Sequence, residues 1–252
     1  MEPAFQLADV SAAQFVLIGG VAFLASVLGG LAGYGTGIIV PIFLAPVVGL
    51  TNVVPVMAVG MLIANASRAI AFWRDIHWPH ARRILAAGLP ACLAGAWGYT
   101  RLDAQWVALL LGGFFVASVP LRRYLSRAGW RLEGRGVAVA GAGFGFVNGA
   151  MTGVGLLLIS TLMAAGLESA ALIGTDAIVS VIMEVAKIAL FGSAARLNAE
   201  LVLAGLLIGA CTAPGGFVAR WMLARIPIRV HTAFMEVVVL AGGASFLWRA
   251  FA

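Results

Sequence analysis

Two apolar stretches in this chain are too long to be single membrane spans and too rich in glycine to be single helices. Residues 12–48 are interrupted by Gly29-Gly30-Leu31-Ala32-Gly33-Tyr34-Gly35-Thr36-Gly37, and residues 136–166 by Gly149-Ala150-Met151-Thr152-Gly153-Val154-Gly155. A span needs about 20 residues, and glycine at this density interrupts a helix. Six further apolar runs, at 52–73, 80–100, 104–121, 169–191, 198–220 and 231–251, fit one span each. Only 10% of the 252 residues are charged and 62% are hydrophobic, whereas a soluble domain carries about 25% charged residues. So few charges cannot cover a water-facing surface. The expected fold class is an all-α polytopic membrane protein, with no room for an added soluble domain.

The formal charge of +6 does not imply a nucleic-acid partner. The arginines fall in short gaps between apolar runs, where orientation signals sit. The first ten residues carry Glu2 and Asp9 and no basic residue, so the first run is read as retained rather than as a secretory signal. Cys92 and Cys211 both lie inside apolar runs and the chain has three histidines. Neither a disulfide framework nor a metal site is expected, and no cofactor.

The two halves resemble each other. GTGIIVP at 35–41 matches GVGLLLI at 153–159, an offset of 118, and each is followed by a Gly-Leu pair, Gly49-Leu50 and Gly166-Leu167. At an offset of 119, Phe72 pairs with Phe191, and Ala91-Cys92-x-Ala94 with Ala210-Cys211-x-Ala213. The expected organisation is a first repeat at 1–121, a basic linker at 122–135 and a second repeat at 136–252, together forming one transmembrane domain.

Charge sets the sense of the repeats. Arg74, Arg82 and Arg83 follow the second run, and Arg122, Arg123, Arg127, Arg131 and Arg135 follow the fourth. Arg225 and Arg229 lie between the seventh and eighth, with Arg220 at the edge of that gap. All three gaps should be cytoplasmic. The chain must then cross an even number of times between the last two of these gaps, yet three single spans would be odd. The conflict disappears if residues 136–166 enter and leave on one side as a hairpin. Applied to both halves, this gives two inverted repeats, each a glycine-broken hairpin plus three transmembrane helices. A single long broken helix in place of each hairpin stays open. Both termini would lie outside, with 122–135 cytoplasmic, in a multi-pass protein of the cell (inner) membrane. Inverted repeats of this kind place a transport site between broken helices near the midplane.

Several residues are candidates for that site. Lys187, the only lysine, lies inside the sixth run, and Arg68 is its equivalent in the second. Matched cations in apolar helices point to an anion, because charge inside a membrane is costly and so usually functional. The competing reading is snorkelling, since each sits about 8 Å from its helix end. Asp176, Ser180, Glu184 and Lys187 form one stripe, with Asp176 and Lys187 about 20° apart around the helix. Asp176 or Glu184 could carry a proton; alternatively Glu184 forms a structural pair with Lys187 and Asp176 sits at the inner interface. Asn65 and Ser67 accompany Arg68 and could bind an oxyanion. In the breaks, freed backbone N–H groups at helix starts bind oxyanions without side-chain charge. Gly35, Thr36, Gly37, Asn148, Thr152, Gly153 and Gly155 are therefore candidate binding residues. Close helix packing through small residues is the alternative.

These segments resemble a known family. GGLAGYGTGIIVPIFLAPVVGL, AVGMLIANASRAIAFWRDIHW and ARRILAAGLPACLAGAWG, then GFVNGAMTGVGLLLISTLMAAGL and LIGTDAIVSVIMEVAKIALFG, look like the sulfite exporter TauE/SafE family over nearly the whole chain. The first break reads GYGTG where the family tends toward a glycine run, and Asp176 follows Gly174-Thr175 where Ser or Ala is commoner. The resemblance implies passage, most simply export, of sulfite or other small organic anions such as organosulfonates, coupled to protons. No GxxxxGK[ST] motif is present, so coupling to ATP is not expected. The partners implied are a small anion and the lipid bilayer, with a homo-oligomer left open. A passive anion channel or facilitator is the alternative; a membrane-embedded enzyme would need paired acids, a histidine cluster or a nucleophile dyad that the chain does not clearly offer.

Overall fold

A computed structural model describes residues 5–32, 35–127, 129, 131–222 and 228–251. Gly33 and Tyr34 of the first break and Arg225 lie outside the described residues. Those described form ten α-helices: α1 (Ala12–Ala32), α2 (Thr36–Val48), α3 (Val53–Ala71), α4 (Trp78–Tyr99), α5 (Ala104–Arg127), α6 (Arg135–Ala150), α7 (Gly155–Ala164), α8 (Ser169–Ser193), α9 (Ala199–Met222) and α10 (Ile228–Phe251). Both overlong runs are split at their glycines, into α1 and α2 and into α6 and α7. α2 has 13 residues and α7 has 10, or about 20 Å and 15 Å at helical rise. Neither can cross a hydrocarbon core of about 30 Å. α5 runs on to Arg127, so the interhelical loop is shorter than the basic segment 122–135.

The question left open by the glycines is answered by where the ends go. The Leu132 amide, just before α6, donates to the Ala164 carbonyl at the end of α7 at 2.7 Å. The end of α7 thus returns to the start of α6, and the segment is a hairpin. In the first half the Thr36 hydroxyl donates to the Ala25 carbonyl at 3.1 Å, which a continuous helix would hold about 16 Å apart. The end of α2 also shares an apolar cavity with the start of α1, through Leu44, Val48, Phe15 and Ile18. After each hairpin the chain turns at a glycine in the left-handed region, Gly49 (φ 81°) and Gly166 (φ 86°), a conformation other residues adopt only with strain.

Packing exchanges elements between the halves. α1 lies along α9 and α6 along α4; α3 packs on α9 and α8 on α4; α3 meets α8 and α5 meets α10. These principal contacts are unchanged when α1–α5 are exchanged with α6–α10, as expected of two structurally related halves. Small residues let the backbones approach. A Cβ placed on Gly145 would stand 2.1 Å from the Gly88 carbonyl oxygen, and one on Gly149 2.0 Å from that of Cys92. Without a hydrophobic drive between helices in lipid, such close backbone packing is a principal source of cohesion.

Polarity is distributed inside out. Val16, Leu24, Val139, Phe146 and Trp248 are exposed, while Asn65, Asn148, Asp176, Glu184 and Lys187 are buried. Leu50–Ala71, Ala104–Leu121 and Ser169–Ser193 are long and apolar enough to cross a membrane. The molecule is a multi-pass membrane protein whose outer face is solvated by lipid.

Candidate functional site

The two helix breaks meet. A Cβ on Gly37 would lie 2.6 Å from the Gly153 amide nitrogen, and one on Gly153 would lie 2.8 Å from the Gly37 carbonyl oxygen. Backbone therefore touches backbone at the start of α2 and just before α7, and no larger side chain fits. Gly35 (φ 134°) and Gly153 (φ 80°) supply the backbone turns that aim both short helices at this point. The first N–H groups of each helix have no partner within it, and both helix starts carry partial positive charge.

A cavity of about 50 Å³ lies at this junction. Of the residues singled out from the sequence, Gly35, Thr36, Gly37, Asn65, Arg68, Asn148, Thr152, Gly153, Gly155, Asp176 and Glu184 all line it. They come from both breaks and from α3, α6 and α8. Lys187 and Ser67 are not among the lining residues. The Ser67 hydroxyl donates to the Ala64 carbonyl at 2.8 Å, as helix-interior serines do. Lys187 is 1% exposed, so it does not snorkel. Its Nζ lies 3.0 Å from Glu184 Oε2 and donates to the Met151 carbonyl at 3.4 Å. It is thus an internal strut between α8 and the second break.

Arg68 is held differently. One guanidinium nitrogen donates to Asn65 Oδ1, one turn back on α3. The same nitrogen lies 3.3 Å from Asp176 Oδ2 on α8, in the other half of the chain. Both Asp176 oxygens and Glu184 Oε2 are buried without a hydrogen-bond partner among the described residues. The ion pairs are therefore their main compensation. Arg68 and Lys187 match the two acids one for one, although of the cations only Arg68 lines the cavity. Among the described residues the Asn148 amide nitrogen reaches only sulfur, Met183 Sδ at 3.7 Å and Cys92 Sγ at 4.0 Å, and sulfur is a weak acceptor. The cavity thus offers an under-used amide, two helix starts and one cation whose counter-ion is contributed from across the interface.

Sequence reasoning missed Ser26, Phe144 and Thr212, which also line the cavity. Ser26 and Phe144 are related by the repeat offset of 118, which would have tied one to the other; Thr212 has apolar Leu93 as its equivalent at 119 and carried no such signal. The Arg68–Asp176 pair had no such signal, because it joins helices from different repeats.

Residues 18–246 match the family described as sulfite exporter TauE/SafE. The chain belongs to the sulfite exporter TauE/SafE family. No curated protein and no solved structure matches it. Membership makes the chain a membrane transporter and not an enzyme. In this TauE/SafE member the polar cavity is bordered by both helix breaks, and discontinuous helices are where secondary transporters build their sites.

Proposed function

We propose that the chain is a proton-coupled secondary transporter, working as an exporter, of small anions such as sulfite, organosulfonates or organic acids. The anion sits in the cavity between the two breaks. Arg68 supplies its charge partner, with the starts of α2 and α7, Thr36, Thr152, Asn65 and Asn148 as hydrogen-bond donors. Asp176 or Glu184, the two acids lining the cavity, is the proton carrier. The halves are inverted about the membrane plane: a hairpin returns to its own side and three spans follow, so each half begins opposite the other. The termini lie outside and 122–135 is cytoplasmic, as the arginines of the gaps require. What carries the reading is the meeting of both broken segments around one buried polar cavity. Its volume of about 50 Å³ holds a few water-sized groups, which suits an anion of few atoms.

Reconstitution tests it. Purified protein in liposomes should move sulfite, sulfate, thiosulfate, sulfoacetate or a small carboxylate, with flux that responds to a pH gradient. Absence of flux and of binding for all of these anions would sink the proposal.

A further inference from the structure

Arg68 and Lys187 are equivalent by repeat, yet their acids come from different places. Each cation has a polar partner three residues earlier on its own helix, Asn65 for Arg68 and Glu184 for Lys187. Glu184 neutralises Lys187 within α8. Asn65 is uncharged, so Arg68 takes its counter-ion from the other half, as Asp176. The position equivalent to Asp176 in the first half is Met57, which carries no charge.

Resting on the reading of this chain as an anion transporter, we propose that the Asp176 carboxylate is a built-in competitor of the substrate for Arg68. In the empty protein it occupies the cation's charge. An incoming anion takes its place when a proton from solution adds to the Asp176 carboxylate. The site then gains one negative and one positive charge together and stays neutral. Anion and proton occupy the protein jointly, and the direction of transport follows their combined gradients. Lys187 and Glu184 take no part in this exchange. Their pair is intrahelical, and Lys187 is not a lining residue and donates to the Met151 carbonyl, so Lys187 is a positioning residue for the second break.

The geometry favours Asp176 for exchange. Its oxygens have no hydrogen-bond partner among the described residues, and 3.3 Å to Arg68 is long for a charge-assisted contact, which is typically about 2.7–2.9 Å. The pair spans α3 and α8, whose relative movement would open it. Charged and titratable groups near Asp176 are few. Arg68 comes from α3, and Glu184 and Lys187 from α8 itself. Arg74 and Asp75 lie in the 3₁₀ turn Trp73–Asp75 packed on α8 and are exposed. The exposed His77, before α4, donates its backbone N–H to the neighbouring Thr175 hydroxyl at 2.9 Å. α4 adds the Cys92 thiol near Asn148. From α6 and α9 the cavity receives Asn148 and Thr212, and from the second break Thr152, none of them titratable.

Binding measured as a function of pH in detergent separates these roles, with methanesulfonate and sulfate as probes because their charges stay fixed over the range. In wild type the affinity should strengthen as pH falls, by up to about tenfold per unit, the limit for one linked proton. Asp176→Asn should bind at all pH values as tightly as acidified wild type, with the slope lost. Glu184→Gln and His77→Gln should keep the slope. A slope surviving in Asp176→Asn, or lost in Glu184→Gln or His77→Gln, would overturn the assignment while leaving anion binding intact. Failure of wild type and all variants to bind either probe would instead count against the anion site itself.

Discussion

The Arg68 and Lys187 regions occupy equivalent places in two related halves, and they have diverged in one respect. Around Lys187 the charge is settled inside one helix, by Glu184, with the cation itself behind the cavity wall. Around Arg68 it is settled across the interface between halves, beside the cavity, by an acid with no hydrogen-bond partner among the described residues. A pair within one helix survives any rearrangement of the halves; a pair between helices of different halves does not. The first kind suits a strut and the second a coupling element.

Removing one partner from each region should break the comparison most visibly. Lys187→Ala leaves Glu184 buried and unpaired, and breaking a fully buried pair costs about 3–5 kcal/mol. Thermal unfolding in detergent should therefore show a large loss. Arg68→Ala should cost less, about 1–3 kcal/mol, because its side chain is 13% exposed toward the cavity and Asp176 can take up a proton. Its anion binding should nevertheless disappear, whereas Lys187→Met, which keeps the side-chain volume, should retain some. Lys187 variants that fold well but bind no anion, beside Arg68 variants that bind normally, would reverse the roles.

The comparison is sharpened by making the two regions alike. Asn65→Asp gives Arg68 an in-helix acid, as Glu184 serves Lys187. Combined with Asp176→Asn it should restore most of the stability lost in Arg68's surroundings while changing how binding depends on pH. Unfolding temperature and the pH profile of methanesulfonate binding read the two effects separately. The smallest effect belongs to Ser67→Ala. Its hydroxyl is satisfied by Ala64 and is not a lining group, so stability and anion affinity should stay within about 0.5 kcal/mol of wild type. A tenfold loss of affinity would place Ser67 in the site.

Much of this arrangement was legible in the chain. Glycine density located both breaks, because a helix cannot continue cheaply through Gly33-Tyr34-Gly35-Thr36-Gly37. The crossing count is met by a hairpin at 136–166, with a single broken helix left open, and the Leu132–Ala164 hydrogen bond closes a hairpin there. The repeat offset gathered most of the cavity's lining. Two things were not legible. Snorkelling of Lys187 was weighed from distance along its own helix, and that distance is silent about the second break, whose Met151 carbonyl the buried ammonium reaches. The partner of Arg68 was sought on its own helix, where only Asn65 stands. Which acid faces it depends on how α3 and α8 are rotated against each other, set by packing that periodicity along one helix does not contain.

The central claim is that anion and proton share the site, with Asp176 as the exchanging acid. Lightly buffered proteoliposomes carrying an internal pH dye test it most directly, under an inward methanesulfonate gradient. The account predicts acidification of the lumen by about one proton per anion with wild-type protein, and anion entry without acidification in Asp176→Asn. Methanesulfonate flux with no proton movement in wild type, or unchanged acidification in Asp176→Asn, would contradict it.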